Sequence, residues 1–164
     1  MRRLPGSILA ALLLATLASN TPAGEPASSA EGMDRRTPLV LLPQMADHQK
    51  QNMRDHLAAV QQVVAALARD DFGGIARVAG RIGYSDAMAQ MCQHMGAATP
   101  GFTEMALGFH HAADKISDAA RRHDRVGVLN ALDTTLQTCV TCHATYKQQV
   151  VDEQTWGKLT KAAR

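Results

Sequence analysis

Cys139 and Cys142 lie three residues apart in the run Cys139-Val140-Thr141-Cys142-His143, and an imidazole follows the second thiol at once. That pattern is the covalent attachment signature of c-type haem. Each thiol can add across one haem vinyl group to give a thioether, and the adjacent histidine can ligate the iron. On a helix, positions i, i+3 and i+4 share one face, so the three groups can meet one flat ligand. A structural zinc site would need four ligands, and the only further cysteine, Cys92, is far away with no second pair. A thioredoxin-like dithiol opens a helix after a strand, whereas this pair sits inside a long helical pattern. The expectation is one covalent haem c per chain, held by Cys139 and Cys142, with His143 as an iron ligand.

Long helices are what the pattern predicts around that motif. Leu39 to Leu42 is a short apolar run closed by Pro43, and proline is tolerated in the first turn of a helix. Met45, Met53, Leu57, Val60, Val64 and Leu67 then recur as a stripe to about Arg69. Asp70-Asp71 can cap a second helix with Phe72, Ile75, Val78, Ala79 and Ile82 inward, although Gly73, Gly74 and Gly80 weaken it. A short helix over Asp86 to Met95 precedes the turn signal Pro100-Gly101. Phe102, Met105, Phe109, Ala112 or Ala113, Ile116 and Ala120 mark a third long helix. The fourth is expected from Arg125 to Val151, with Val126, Leu129, Leu132, Leu136, Val140, His143 and Tyr146 along its face. The fold class expected is all-α, an antiparallel four-helix bundle over residues 43–152 enclosing the haem.

Met1-Arg2-Arg3 followed by the apolar run Ile8 to Ala18, interrupted by Thr16, reads as a secretory signal peptide over residues 1–23. The run is too short to span a bilayer. Residues 24–42 read as a flexible mature N-terminus and residues 153–164 as a basic, frayed tail. The first 23 residues hold two of the 17 basic side chains and none of the 15 acidic ones, so the remainder is balanced in charge. That balance argues against nucleic-acid or acidic-substrate partners. An exported protein without a further apolar span is expected in the periplasm, where it would meet redox partner proteins without stable membrane insertion. Association into a homodimer stays open.

A haem motif near the C-terminus, on the last helix of a bundle, resembles the class II c-type cytochromes, the cytochrome c′ family. Tyr146 and Lys147 after the motif are similar to the aromatic and basic residues that family members place there, the basic group near the exposed side of the proximal histidine. The likeness covers residues 43 to 151 and is poorest between 84 and 101. It implies two branches. In one, a methionine near the start of the first helix completes low-spin iron suited to one-electron transport. In the other, five-coordinate iron binds small gases such as nitric oxide. Met45 occupies the methionine position, with Met53 about two turns later as in the methionine-ligated relatives. Geometry points the same way, because in an up-down bundle the start of the first helix faces the end of the fourth. Met45, His48 and Met53 all fall in that early part. Met45 and Met53 are separated by roughly 12 Å along the axis, so one can face the iron and both cannot.

Met45 is therefore the favoured second metal ligand beside His143, with His48 the rival imidazole, although His48 lies off the main stripe. Met91-Cys92-x-His94-Met95 resembles a soft-metal cluster suited to copper. The plainer reading is a buried free cysteine among packing methionines. His56, His110 and His111 read as surface or haem-edge groups. Nothing resembles a Ser-His-Asp arrangement, a phosphate loop or a paired-carboxylate site, so an enzyme is not expected. The function expected is electron transport by an exported monohaem cytochrome c, with gas binding as the alternative.

Overall fold

The structure is a computed structural model that describes residues 34–163; the expected signal peptide and the start of the expected flexible segment lie outside the described residues. The chain is mostly helical, in the order β1 (Thr37–Leu41), α1 (Pro43–Leu67), α2 (Phe72–Arg81), α3 (Asp86–Gly96), α4 (Phe102–Arg121), α5 (Arg125–Thr145), β2 (Tyr146–Val150) and α6 (Glu153–Ala162). Among the described residues, no helix is long and apolar enough to cross a membrane.

Two sharp turns between helices are built alike. Asp70 and His123 both adopt positive φ, 56° in each case, and each is followed by an aspartate that caps the next helix. Asp71 accepts from Gly74 N at 2.7 Å and Asp124 accepts from Gly127 N at 2.8 Å. A side-chain oxygen at the N-cap satisfies a backbone donor that the helix itself cannot. At both glycines an added Cβ would run into the capping carboxylate, so these positions are glycine for want of space. Arg125 pairs with Asp70, joining the two turns.

Helices α1, α2, α4 and α5 share one apolar cluster: Val63, Ala66 and Leu67 from α1, Ile75 and Ala79 from α2, Ile116, Ala119 and Ala120 from α4, and Val128, Ala131 and Leu132 from α5. Many of these side chains are alanine, which lets backbones approach closely. The stripe expected for α4 is buried except at Met105, which is only partly buried: Phe102, Phe109, Ala112, Ala113, Ile116 and Ala120 lie in the core. On α1 and α5 the outcome differs. Ala46, Gln49, Ala59, Val63 and Ala66 are buried on α1, while Met53, Leu57 and Val64 of the expected stripe are 38%, 70% and 51% exposed. On α5, Val128, Ala131, Leu132 and Thr135 are buried. Leu136 and Val140 of the expected face are 41% and 70% exposed. Met45 and Leu67 at the ends of the α1 stripe, and Leu132 on α5, are buried as expected. Helical spacing thus found the helices and part of each inner face, and the rest turns outward because alanines take the places where backbones approach closely.

Three expectations for the chain ends need correction. Residues 37–41, placed in a flexible segment, form β1, in which Leu39, Val40 and Leu41 are buried. The fourth long helix ends at Thr145, because Tyr146–Val150 leaves the helix to pair in parallel with β1, Thr37 opposite Tyr146 and Leu41 opposite Val150. Strand pairing supplies the backbone bonds that another turn of helix would have made. Residues beyond 152 are no frayed tail: Asp152 caps α6 by accepting from Thr155 N at 2.7 Å, and Trp156 packs onto the core. Thr99, between α3 and α4, closes the other side of β1, accepting from Val40 N at 3.2 Å and donating to Pro38 O at 3.3 Å.

Candidate haem site

The motif occupies the last two turns of α5. Cys139 and Cys142 are half-buried free thiols that meet different parts of the core. Cys139 packs against Ala59, Ile82, Phe109 and Ala113, and its Sγ lies 3.4 Å from Thr135 O. Cys142 packs against the cluster of Leu39, Leu41, Met45, Ala46, Met95 and Phe102. Burial raises the pKa of both thiols, and proximity to Cys139 raises that of Cys142 further. A redox dithiol works through a thiolate stabilised by its surroundings. These surroundings do the opposite and keep two neutral thiols at the core boundary. His143 stands on the exposed side of the same helix, and its carbonyl accepts from Arg36 Nη1 at 3.2 Å.

Met45 is 9% exposed and belongs to the same cluster that Cys142 packs against. What holds it there is the chain beyond the motif. β2 pairs with β1 immediately before α1, and Gln148 Nε2 donates to Ala46 O at 3.3 Å and to Gln49 Oε1 at 2.6 Å. The first turns of α1 are thereby tied to the end of α5. His48 faces solvent and Met53 is 38% exposed. Of the three ligand candidates on α1, only Met45 lies in the core beside the motif.

The Met91-Cys92-x-His94-Met95 run on α3, read more plainly as a buried free cysteine among packing methionines than as a soft-metal cluster, is divided. Met91 and Met95 pack in the cluster that holds Met45, whereas Cys92 is buried outside it and its carbonyl accepts from Thr103 Oγ1 at 3.4 Å. His94 is exposed, its ring 5.5 Å from that of Trp156. Among the described residues, no three His, Cys, Asp or Glu side chains are grouped to hold a metal ion by themselves.

No family model, curated protein or solved structure matches the chain. The reading of the site rests on its own chemistry.

Two groups escaped the sequence reading. His110, expected as a surface or haem-edge group, is 3% exposed with Nδ1 2.8 Å from Ile82 O. In the neutral ring, a proton on Nδ1 donates to that carbonyl. His56 is half-buried, stacked on Phe109 at 4.4 Å and edge-on to His110 at 5.5 Å. Burial, with the His110 ring beside it, lowers the His56 pKa to about 4. Both rings flank Phe109, part of the cluster against which Cys139 packs. Spacing gave no sign of this, since the partners come from different helices. The second group is Trp156, whose buried Nε1 has no acceptor. No sequence signal marks an unpaired donor.

These residues fit a haem. Two neutral thiols sit at the core boundary at the correct spacing, with an imidazole beside them. Large apolar side chains stand uncovered on α1 and α5, and a buried N–H lacks a partner. Each is a demand that a large, apolar, oxygen-bearing guest would meet.

Proposed function

We propose that this protein is a monohaem c-type cytochrome of the class II kind, a four-helix bundle of α1, α2, α4 and α5 that carries single electrons. The observation that carries the proposal is the convergence of Cys142 from α5 and Met45 from α1 on one apolar cluster, next to His143. Cys139 and Cys142 would hold the group covalently, and His143 and Met45 would be its iron ligands. The bound iron supplies the one-electron chemistry.

The chain contributes attachment, orientation and exclusion of water. Two thioethers one helical turn apart fix the rotation of a flat group against α5. With the strand pair and Gln148 anchoring the first turns of α1, Met45 would keep its place whatever the charge on the bound group, which would keep reorganisation small. Methionine beside histidine also favours ferrous iron and raises the potential. His56 and His110 stay neutral near Cys139, so they add no charge to the core at physiological pH. An export address, with periplasmic redox proteins as partners, belongs to the same proposal and is supported by the sequence of residues 1–23.

Oxidised and reduced optical spectra, recorded with and without carbon monoxide on protein from a host able to attach haem, test the reading. Low-spin spectra and slow carbon monoxide binding are expected. High-spin iron with fast binding would replace the electron carrier with a gas-binding protein.

A further inference from the structure

We infer that Trp156 and His94 form the seat for a haem carboxylate: the indole N–H of α6 donates to a propionate, with the α3 imidazole beside it at the rim. The inference rests on the haem reading above and assigns a role to two segments that reading leaves unused.

Trp156 Nε1 is the one buried side-chain nitrogen or oxygen among the described residues without a hydrogen-bond partner. An unpaired buried donor costs about 1–3 kcal/mol, so a fold that retains one calls for an acceptor. No protein acceptor lies within hydrogen-bond reach of Nε1. Trp156 packs on the cluster of Leu39, Leu41, Met45, Ala46, Met95 and Phe102, all hydrocarbon or thioether. Tyr146 also borders that cluster, and its hydroxyl donates to Pro100 O at 3.2 Å without reaching the indole N–H.

Haem brings an acceptor of the correct kind. Its vinyl groups lie on one edge and its two carboxylates on the opposite edge. A haem joined to α5 through its vinyl edge directs its carboxylates away from α5, toward the walls supplied by other elements. Cys142 and Trp156 border the same cluster, one from α5 and the other from α6. A carboxylate entering apolar surroundings needs N–H donors, and charge-assisted bonds of this kind are the strong ones. Trp156 offers a buried donor, and His94, 5.5 Å away ring to ring and exposed, offers a second at the solvent boundary. The capped helix that follows β2 then has a purpose, which is to carry one indole over the cofactor.

The test uses the haem-loaded full-length protein. Intact mass under denaturing conditions first establishes covalent haem, and its absence would overturn both this inference and the reading beneath it. The chain has one tryptophan, so nitrogen-15 labelling gives a single indole N–H signal in the diamagnetic ferrous or carbon monoxide form. A downfield, exchange-protected proton is expected. Trp156→Phe keeps most of the ring packing and removes the N–H. Its reduction potential should fall, because the carboxylate charge, no longer partly offset, stabilises ferric iron. An indole proton that exchanges within the mixing time overturns the inference. So does a protected proton combined with an unchanged potential in Trp156→Phe, since the acceptor is then a protein group.

Discussion

Gln148 Nε2 on β2 donates to Gln49 Oε1 on α1 at 2.6 Å, and this contact ties the residue five beyond His143 to the residue four beyond Met45. Gln49 is buried. Gln148→Ala leaves its amide oxygen without that donor, at a cost of about 1–3 kcal/mol. Because the first turns of α1 are anchored there, the haem-loaded variant should also show a partly high-spin ferric spectrum. A melting curve together with an optical spectrum reads both effects, and a lowered melting point with an unaltered spectrum would separate the anchor from the iron.

Covalent attachment is the next expectation. Protein from a host with haem-attachment machinery should keep its colour when denatured and acidified, and weigh one haem more than the chain. Cys142→Ser should lose one thioether and melt earlier, since the core is then closed around a loosely held group. Extraction of the colour into organic solvent from the unmutated protein would end the haem c assignment.

Met45→Ala should convert low-spin iron to high-spin iron and make carbon monoxide binding fast. His48→Ala should alter neither property, because that ring faces solvent. Met53→Ala should cost well under the ~2–5 kcal/mol of a buried methionine, given its 38% exposure, and leave the spin state alone. Should Met45→Ala leave the spectrum of a low-spin protein unchanged, Met45 is not the ligand.

Acid sensitivity follows from His56 and His110. Both have folded pKa values below the ordinary 6.5, chiefly through burial, that of His56 at about 4. Below pH 6.5 the unfolded chain takes up protons that the folded chain refuses, so unfolding is favoured as pH falls. For His56 the contribution is complete above 6.5 and drains away down to about 4. Stability measured in denaturant between pH 7 and 4 should therefore decline, and His56→Phe should flatten the decline. An equal slope in the variant would place the acid sensitivity elsewhere.

Two glycine replacements should have opposite signs. Gly127→Ala forces an added methyl against the Asp124 carboxylate that caps α5, and loss of a cap typically costs ~1 kcal/mol. Gly108→Ala, an exposed position inside α4 with nothing within 4 Å of the added carbon, should gain up to ~1 kcal/mol from helix propensity. Thermal melts of the two variants check the pair, and equal shifts would remove the steric reading of Gly127.

What the sequence determined by itself was local. Spacing alone puts Cys139, Cys142 and His143 within two turns of one helix, and apolar period with Asp71 and Asp124 marks the long helices, because caps and helical period depend on neighbours within a turn or two. Most of the inner face of α4 could be read directly, since Phe102, Phe109 and Ile116 are both apolar and buried. The tertiary structure decided the rest. β1 and β2 exist because each satisfies the other's backbone across almost the whole chain, a partnership that no local pattern encodes. It also set which face of α1 and α5 turns inward: alanines meet where backbones approach closely, and Leu57 and Val140 stay uncovered. Met45 reaches the core beside Cys142, and His56 stacks on Phe109, only because separate elements are held at fixed heights. The heights come from strand pairing and packing between residues distant in sequence, and those interactions arise only in the folded chain.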